Sequence, residues 1–145
     1  MKISTKGLYA VRFMLYLTER GSAEPVSLKD VSKACSISKK YLEQIVPNLV
    51  VAKIVRSVRG AAGGYRLAKP ASSITLLDVL RVTEGSLAPV PCLQDEELDC
   101  TLPSPCLEIE VWKGLNDLVN TYLAGITLQE VIDRESVVAA DSYSI

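Results

Sequence analysis

The sequence contains no histidine. That removes the side chain most often used as a general base near neutral pH, and with it every Ser-His or Cys-His nucleophilic pair. It also lacks a Gly-x-Ser-x-Gly elbow, a GxxxxGK[ST] phosphate loop and any pair of carboxylates placed for acid–base work. These absences point away from an enzyme and towards a protein that binds. No apolar run approaches the roughly 18–20 residues needed to cross a bilayer. The opening "MKISTKGLYAVRF" is broken by Arg12 and is followed by no small-residue cleavage site, so no signal peptide is expected. A cytoplasmic protein without membrane contact is the expectation. Closely spaced Cys-x2–4-Cys pairs, usual in structural zinc sites, are missing as well.

Charge is scarce in a lopsided way. The 145 residues carry a net charge of −1. Residues 1–70 hold only 4 Asp/Glu against 13 Lys/Arg, a balance of +9, and residues 71–145 hold only 3 Lys/Arg against 13 Asp/Glu, a balance of −10. Two differently solvated faces of one domain would be the plain explanation. A basic module for a polyanion joined to an acidic module with another task accounts better for so sharp a split.

The basic half reads as helices followed by a hairpin. Thr5 is placed to cap a helix from about Lys6 to Glu19, apolar enough at 8–17 to lie in the core. Ser27 precedes a short helix that stops near Cys35, with Asp30 three residues on. Ser38 then caps "KKYLEQIVPNLV", whose Leu42, Ile45, Val46 and Leu49 form an apolar stripe while Lys39, Lys40, Glu43, Gln44 and Asn48 lie opposite. Pro47 should end or kink this helix. Strand-like runs at 54–58 and 65–68 flank "RGAAGG", ringed by Arg56, Arg59, Arg66 and Lys69.

Helix, tight link, polar-faced helix and two-stranded wing are the order of a winged helix-turn-helix, so the fold class expected is mainly α with a small β-hairpin wing. A major groove about 12 Å wide admits an α-helix, while a minor groove of about 6 Å admits only something thin. Gly60, Gly63 and Gly64 would keep the wing tip thin and permit positive φ. Arg59 can then enter the narrow groove, with Arg56, Arg66 and Lys69 meeting phosphates. A long hairpin loop alone would explain the glycines but not the cations around them.

In the acidic half, Thr75 caps a helix at about 76–83, ended by Gly85. Residues 86–105 are loop-like and carry four prolines. A long helix from about Cys106 to Ala124 carries Leu107, Val111, Leu115, Leu118 and Tyr122 as one stripe, and a last short helix runs from Thr127 to about Asp133. The long helix is a natural dimerisation element, although packing on its own DNA-binding domain is the alternative. The expected division is a winged helix-turn-helix DNA-binding domain at 1–86 and a sensor loop with dimerisation helices at 87–145.

"MKISTKGLYAV", "SISKKYLEQIVPNL", "VRSVRGAAGGYRLAKP", "SSITLLDVLRVTEG" and "ITLQEVI" together resemble one family over nearly the whole chain. It is the family of bacterial winged-helix regulators that includes the iron–sulfur cluster regulator, the nitric-oxide-sensitive repressor and the cysteine-metabolism repressor. The resemblance implies a homodimer that binds a double-stranded DNA operator, with the reading helix in the major groove and the wing in the minor groove. Matched residue by residue, it points to Ser38, Tyr41, Glu43 and Gln44 on the reading helix and Arg59 in the wing. Lys39, Lys40, Arg56, Gly60 and Arg66 complete the expected DNA-binding set. Gln can pair with adenine and Glu can accept from cytosine. Glu43 facing phosphates would act mainly by rejecting wrong sites.

Cys92, Cys100 and Cys106 gather within fifteen residues as C-x7-C-x5-C. Three thiols cannot pair completely, and thiolates on a loop suit soft metals and iron–sulfur clusters. In the cluster-binding branch of the family three loop cysteines hold a 2Fe–2S cluster, and these three fall at matching places with a longer first gap. That branch's fourth ligand is not matched, because Ile109 and Leu8 stand where a His or an Asp would. Glu108 and Glu110 are candidates, with Asp95, Asp99 or a small thiol also open. "LAPVPCLQDEE" also resembles the cysteine-metabolism repressor, which implies a cluster-free regulator answering to a partner enzyme or to thiol oxidation. Cys35 reads as core or turn packing.

Overall fold

Ser4, not Thr5, starts the first helix. A computed structural model describes residues 2–21, 23–94 and 106–143. Its α1 (Thr5–Arg20) begins one residue earlier than expected because Ser4 takes the extended conformation and its hydroxyl accepts from the Gly7 amide. Gly7, Ala10, Phe13, Met14 and Leu17 are the buried face, spaced by three or four residues with one adjacent pair.

Two further serines set the next pair of helices. Ser27 accepts from Asp30 N at the start of α2 (Leu28–Cys35), and Ser38 accepts from Tyr41 N at the start of α3 (Lys39–Val51). Between them Ser36 turns the chain in the left-handed region at φ 55. The expected break at Pro47 does not occur, since α3 runs through it to Val51. The proline costs the bond to the Glu43 carbonyl, but both residues lie on the exposed side. Leu42 and Ile45 before the proline, and Leu49 after it, are all fully buried, so both halves of the helix are anchored in the core.

The hairpin pairs β1 (Val55–Val58) antiparallel to β2 (Gly64–Leu67), with Arg56 opposite Arg66 and Ser57 opposite Tyr65. Tyr65 also exchanges two 2.8 Å backbone bonds with Val26, tying the wing to the segment before α2. Of the three wing glycines only Gly60 takes positive φ, at 116. Gly64 serves close approach instead, because a Cβ there would lie 2.4 Å from the Val26 carbonyl oxygen.

A reciprocal capping box of Thr75 and Asp78 starts α4 (Leu76–Glu84), and Gly85 ends it. A single 3-10 turn follows at Pro91–Leu93. The long helix α5 (Ile109–Ala124) begins three residues later than expected, with Cys106 in the turn before it, bonded through its carbonyl to Ile109 N. The last helix α6 (Leu128–Tyr143) continues ten residues past the expected end. Its extension carries exposed Val137 and Val138 and so lacks the apolar stripe that would reveal it in sequence. Thr127 and Glu130 cap α6 reciprocally, and backbone bonds from Leu76 N to the Ile126 carbonyl and from Leu128 N to the Ile74 carbonyl join its start to that of α4.

A main core underlies these elements, beside a smaller cluster of Leu77, Leu80 and Leu87 against which Ile3, Val11 and, from α5, Leu123 pack. Phe13, Met14 and Leu17 of α1 meet Val31, Ile37, Leu42, Ile45, Leu49, Val55 and Ile74, and Leu128 of α6 closes the main core. By contrast α5 has no buried residue, and Val111, Leu118 and Tyr122 are 63%, 70% and 66% exposed.

Candidate nucleic-acid interface and cysteine loop

The α3 face away from the core is polar and open. Ser38, Lys39, Lys40, Glu43 and Gln44 are all exposed. Lys39 Nζ stands 4.0 Å from Glu43 Oε1, one helical turn on. At that distance and exposure the pair contributes little and leaves both side chains movable. Tyr41 differs. Half-buried, it packs edge-on against Tyr9 of α1, ring centroids 5.1 Å apart and planes at 79°. The Arg12 guanidinium lies over the other ring of this pair, 5.6 Å from the Tyr9 centroid. Tyr41 therefore fixes the N-terminal turn of α3 against α1. Sequence reasoning missed Tyr9 and Arg12, because the thirty-one residues between Tyr9 and Tyr41 leave no local pattern.

The wing places cations where only a counter-charge from outside would stabilise them. Arg56 and Arg66 are directly opposed across the strand pair. On the side of the adjacent pair Ser57 is exposed, but Tyr65 packs against Phe13, so that side of the hairpin is the one towards the core. Arg56 and Arg66 therefore share the outer face of the hairpin. Like charges in that relation repel. Among the described residues no carboxylate lies within 4.0 Å of Arg56, Arg59, Arg66, Lys69 or Lys40. Arg59 is exposed at the end of β1, and beyond it the tip is Gly60, Ala61 and Ala62.

Of the three loop cysteines, Cys92 lies in the 3-10 turn and Cys106 before α5; both are free thiols and half-buried. Cys100, with Asp95 and Asp99, lies outside the described residues. Glu108 heads α5, exposed and making no capping bond, whereas Glu110 is held by Lys113 Nζ at 3.0 Å. Two accessible thiols fit the donor chemistry of a soft metal or cluster, and Glu108 is the carboxylate less engaged by its own helix. Cys35 closes α2 and packs partly against the core, as expected. Burial is the main cause that raises its thiol pKa; Arg12 opposes this and Glu19 adds to it.

Comparisons with known proteins cover most of the chain. The family model described as "Rrf2: Iron-dependent Transcriptional regulator" matches residues 3–134. The HTH-type transcriptional regulator CymR of Bacillus subtilis is 40% identical over 131 residues, covering 90% of this chain and 89% of its own. The HTH-type transcriptional regulator IscR of Vibrio atlanticus is 36% identical over 146 residues, covering 100% of this chain and 83% of its own. The solved structure of CymR, the global cysteine regulator of B. subtilis, matches with a TM-score of 0.79 at 34% identity, covering 92% of this chain and 98% of that one.

Proposed function

Because this chain belongs to the Rrf2 family of DNA-binding transcriptional regulators, we propose that it is a cytoplasmic homodimer that reads a palindromic operator and reports iron–sulfur or redox status through its loop cysteines. Among the described residues no helix is long and apolar enough to cross a membrane. Residues 1–86 carry the reading, and 87–145 carry the sensor loop and dimer helix, with Leu128 docking the second part on the first.

The observation that carries the reading is the wing. Two arginines opposed on its outer face, and Arg59 beside a tip of glycine and alanines, make a thin cationic edge next to the open polar face of α3. Ser38, Lys39, Lys40, Tyr41, Glu43 and Gln44 meet the major groove. Arg59 with Gly60 enters the minor groove, and Arg56 and Arg66 take phosphates. The exposed Val111, Leu118 and Tyr122 of α5 supply the dimer contact, which spaces two reading heads for two half-sites.

Cys92, Cys100 and Cys106 would hold a 2Fe–2S cluster, with Glu108 ahead of Glu110 as fourth ligand. The bound group would supply a redox-sensitive and oxygen-sensitive charge next to α5. The chain's own part is to present three thiolates on a loop that starts at Gly85 and ends at α5. A second reading is favoured by Ile109, by Leu8 and by the lack of histidine. In it the chain is a cluster-free cysteine-metabolism-type repressor, controlled by a partner enzyme or by thiol oxidation.

The visible spectrum and the iron and sulfide content of protein purified without oxygen separate the two. A chromophore lost in Cys92→Ala, Cys100→Ala or Cys106→Ala and kept in Cys35→Ala supports the cluster. Sub-stoichiometric iron and sulfide after reconstitution leaves the second reading.

A further inference from the structure

A cleft of about 540 Å³ opens between α1, the end of α2 and α6, and none of the proposed reading-helix residues or loop cysteines lines it. Arg12, Tyr16 and Glu19 of α1 form one wall, Cys35 the second, and Ile132 with Glu135 of α6 the third. The volume is in the range of small-molecule sites, ~300–1,000 Å³. Its charges are unusual for a surface groove. Arg12 and Glu19 are two helical turns apart, roughly 10 Å along the axis. Among the described residues neither makes an ion pair with the other or with Glu135. Cys35 lines the same cleft as Arg12 and Glu19.

One cation, Arg12, two carboxylates, Glu19 two turns along the same helix and Glu135 on α6, and apolar Leu15, Val131 and Ile132 line one cleft, and such a lining selects by charge pattern. A phosphate or nucleotide would meet Glu19 and Glu135. A metal ion would meet Arg12, and an uncharged apolar ligand would strip water from all three charges. A ligand that carries both charges satisfies the set. We infer that this cleft binds a small amino-acid-like zwitterion, its carboxylate on Arg12 and its ammonium on Glu19 and Glu135, beside the Cys35 thiol. The planar guanidinium grips a carboxylate through two parallel hydrogen bonds.

Arg12 also connects the cleft to DNA. The same guanidinium lies over Tyr9, and Tyr9 packs against Tyr41 at the start of α3. A ligand carboxylate competes with the Tyr9 ring for Arg12, so occupancy loosens the Tyr41 contact and lowers operator affinity. This coupling, unlike the binding itself, rests on α3 being the reading helix. A ligand shifts the equilibrium only by its differential affinity for the two arrangements, here the difference between Arg12 on Tyr9 and Arg12 on the ligand.

The test is alkylation of the reduced full chain by iodoacetamide, with Cys35 followed by peptide mass mapping. The probes are the proteinogenic amino acids other than cysteine, with acetate and ethylammonium as single-charge controls. At least one zwitterion should slow Cys35 labelling by about fivefold or more, and the same compound should weaken operator binding by a similar factor. Neither control should act, and Cys92 should label unchanged. Arg12→Gln should abolish the protection and Arg12→Lys should retain part of it. No protection by any amino acid, equal protection by acetate alone, or full protection in Arg12→Gln would overturn the site. Protection without any change in operator affinity overturns the coupling. Absence of all DNA binding would count against the reading of α3 while leaving the Cys35 result to judge the cleft.

Discussion

Arg59 stands exposed between the last residue of β1 and Gly60, whose φ of 116 turns the wing back on itself. If it enters the minor groove, its replacement is felt at the bases it meets. Arg59→Ala should weaken operator binding by about 1–3 kcal/mol and relax preference there, whereas Lys69→Ala should weaken all duplexes alike. Fluorescence anisotropy on operator and scrambled duplexes checks both, and an unchanged operator affinity in Arg59→Ala would remove Arg59 from the interface. Gly64 makes a different kind of demand. A Cβ at this position meets the Val26 carbonyl at 2.4 Å and the Ser27 nitrogen at 3.0 Å, and backbone on both sides cannot give way cheaply. Gly64→Ala should therefore destabilise the fold by about 1–3 kcal/mol, read as a lower denaturation midpoint. A melting curve identical to the parent would mean that the Val26–Tyr65 bridge does not hold the wing in place.

At the scale of elements, α3 and α6 show what sequence conveys and what it hides. The Ser27, Ser38 and Thr75 caps were legible, because a hydroxyl before an amphipathic run satisfies orphan amides by local chemistry alone. The exposed polar face of α3 and the cations around the hairpin were legible too, since period and charge are local. Of the two outcomes expected at Pro47, an end to the helix did not occur, because a local rule met a tertiary one: Leu42, Ile45 and Leu49 anchor both halves of the helix to the same core. The far half of α6 was missed for the opposite reason, having no buried face to impose a period. Nor could spacing reveal the stack of Arg12, Tyr9 and Tyr41 or the cleft around Cys35, which exist only once α1, α3 and α6 are packed. If the core rather than propensity holds α3 together, proline there is a net cost. Pro47→Ala should restore the Glu43 carbonyl bond and stabilise the protein by up to about 3 kcal/mol. A raised thermal midpoint with unchanged operator affinity is expected. A lowered midpoint would show that the proline is accommodated by some adjustment that alanine loses.

For the whole molecule, the charge split and the bare face of α5 make one joint statement. The basic half, at +9, contains α3 and the hairpin, while the acidic half, at −10, contains α5 and Cys92, Cys100 and Cys106. A basic reading edge, as proposed, would favour the orientation that turns it towards DNA. Each protomer presents Lys40, Arg56, Arg59, Arg66 and Lys69 without a carboxylate within 4.0 Å among the described residues. If each displaces one counterion, a dimer neutralises about ten phosphates, and log K should fall against log salt with a slope near −9. The dimer is what doubles that slope. Leu118 is 70% exposed on a single chain, and Leu115 shares its face one turn earlier. Replacing both by glutamate puts four carboxylates into an apolar contact and should give monomers in sedimentation velocity. Each monomer keeps its core, because α5 contributes no buried residue to it, so its melting should remain cooperative. Its DNA binding should persist in weakened form with a salt slope near −4 or −5, half that of the parent. A double mutant that still sediments as a dimer would place the interface elsewhere. A monomer that keeps the full slope would mean that a single reading head already makes every phosphate contact assigned here to two.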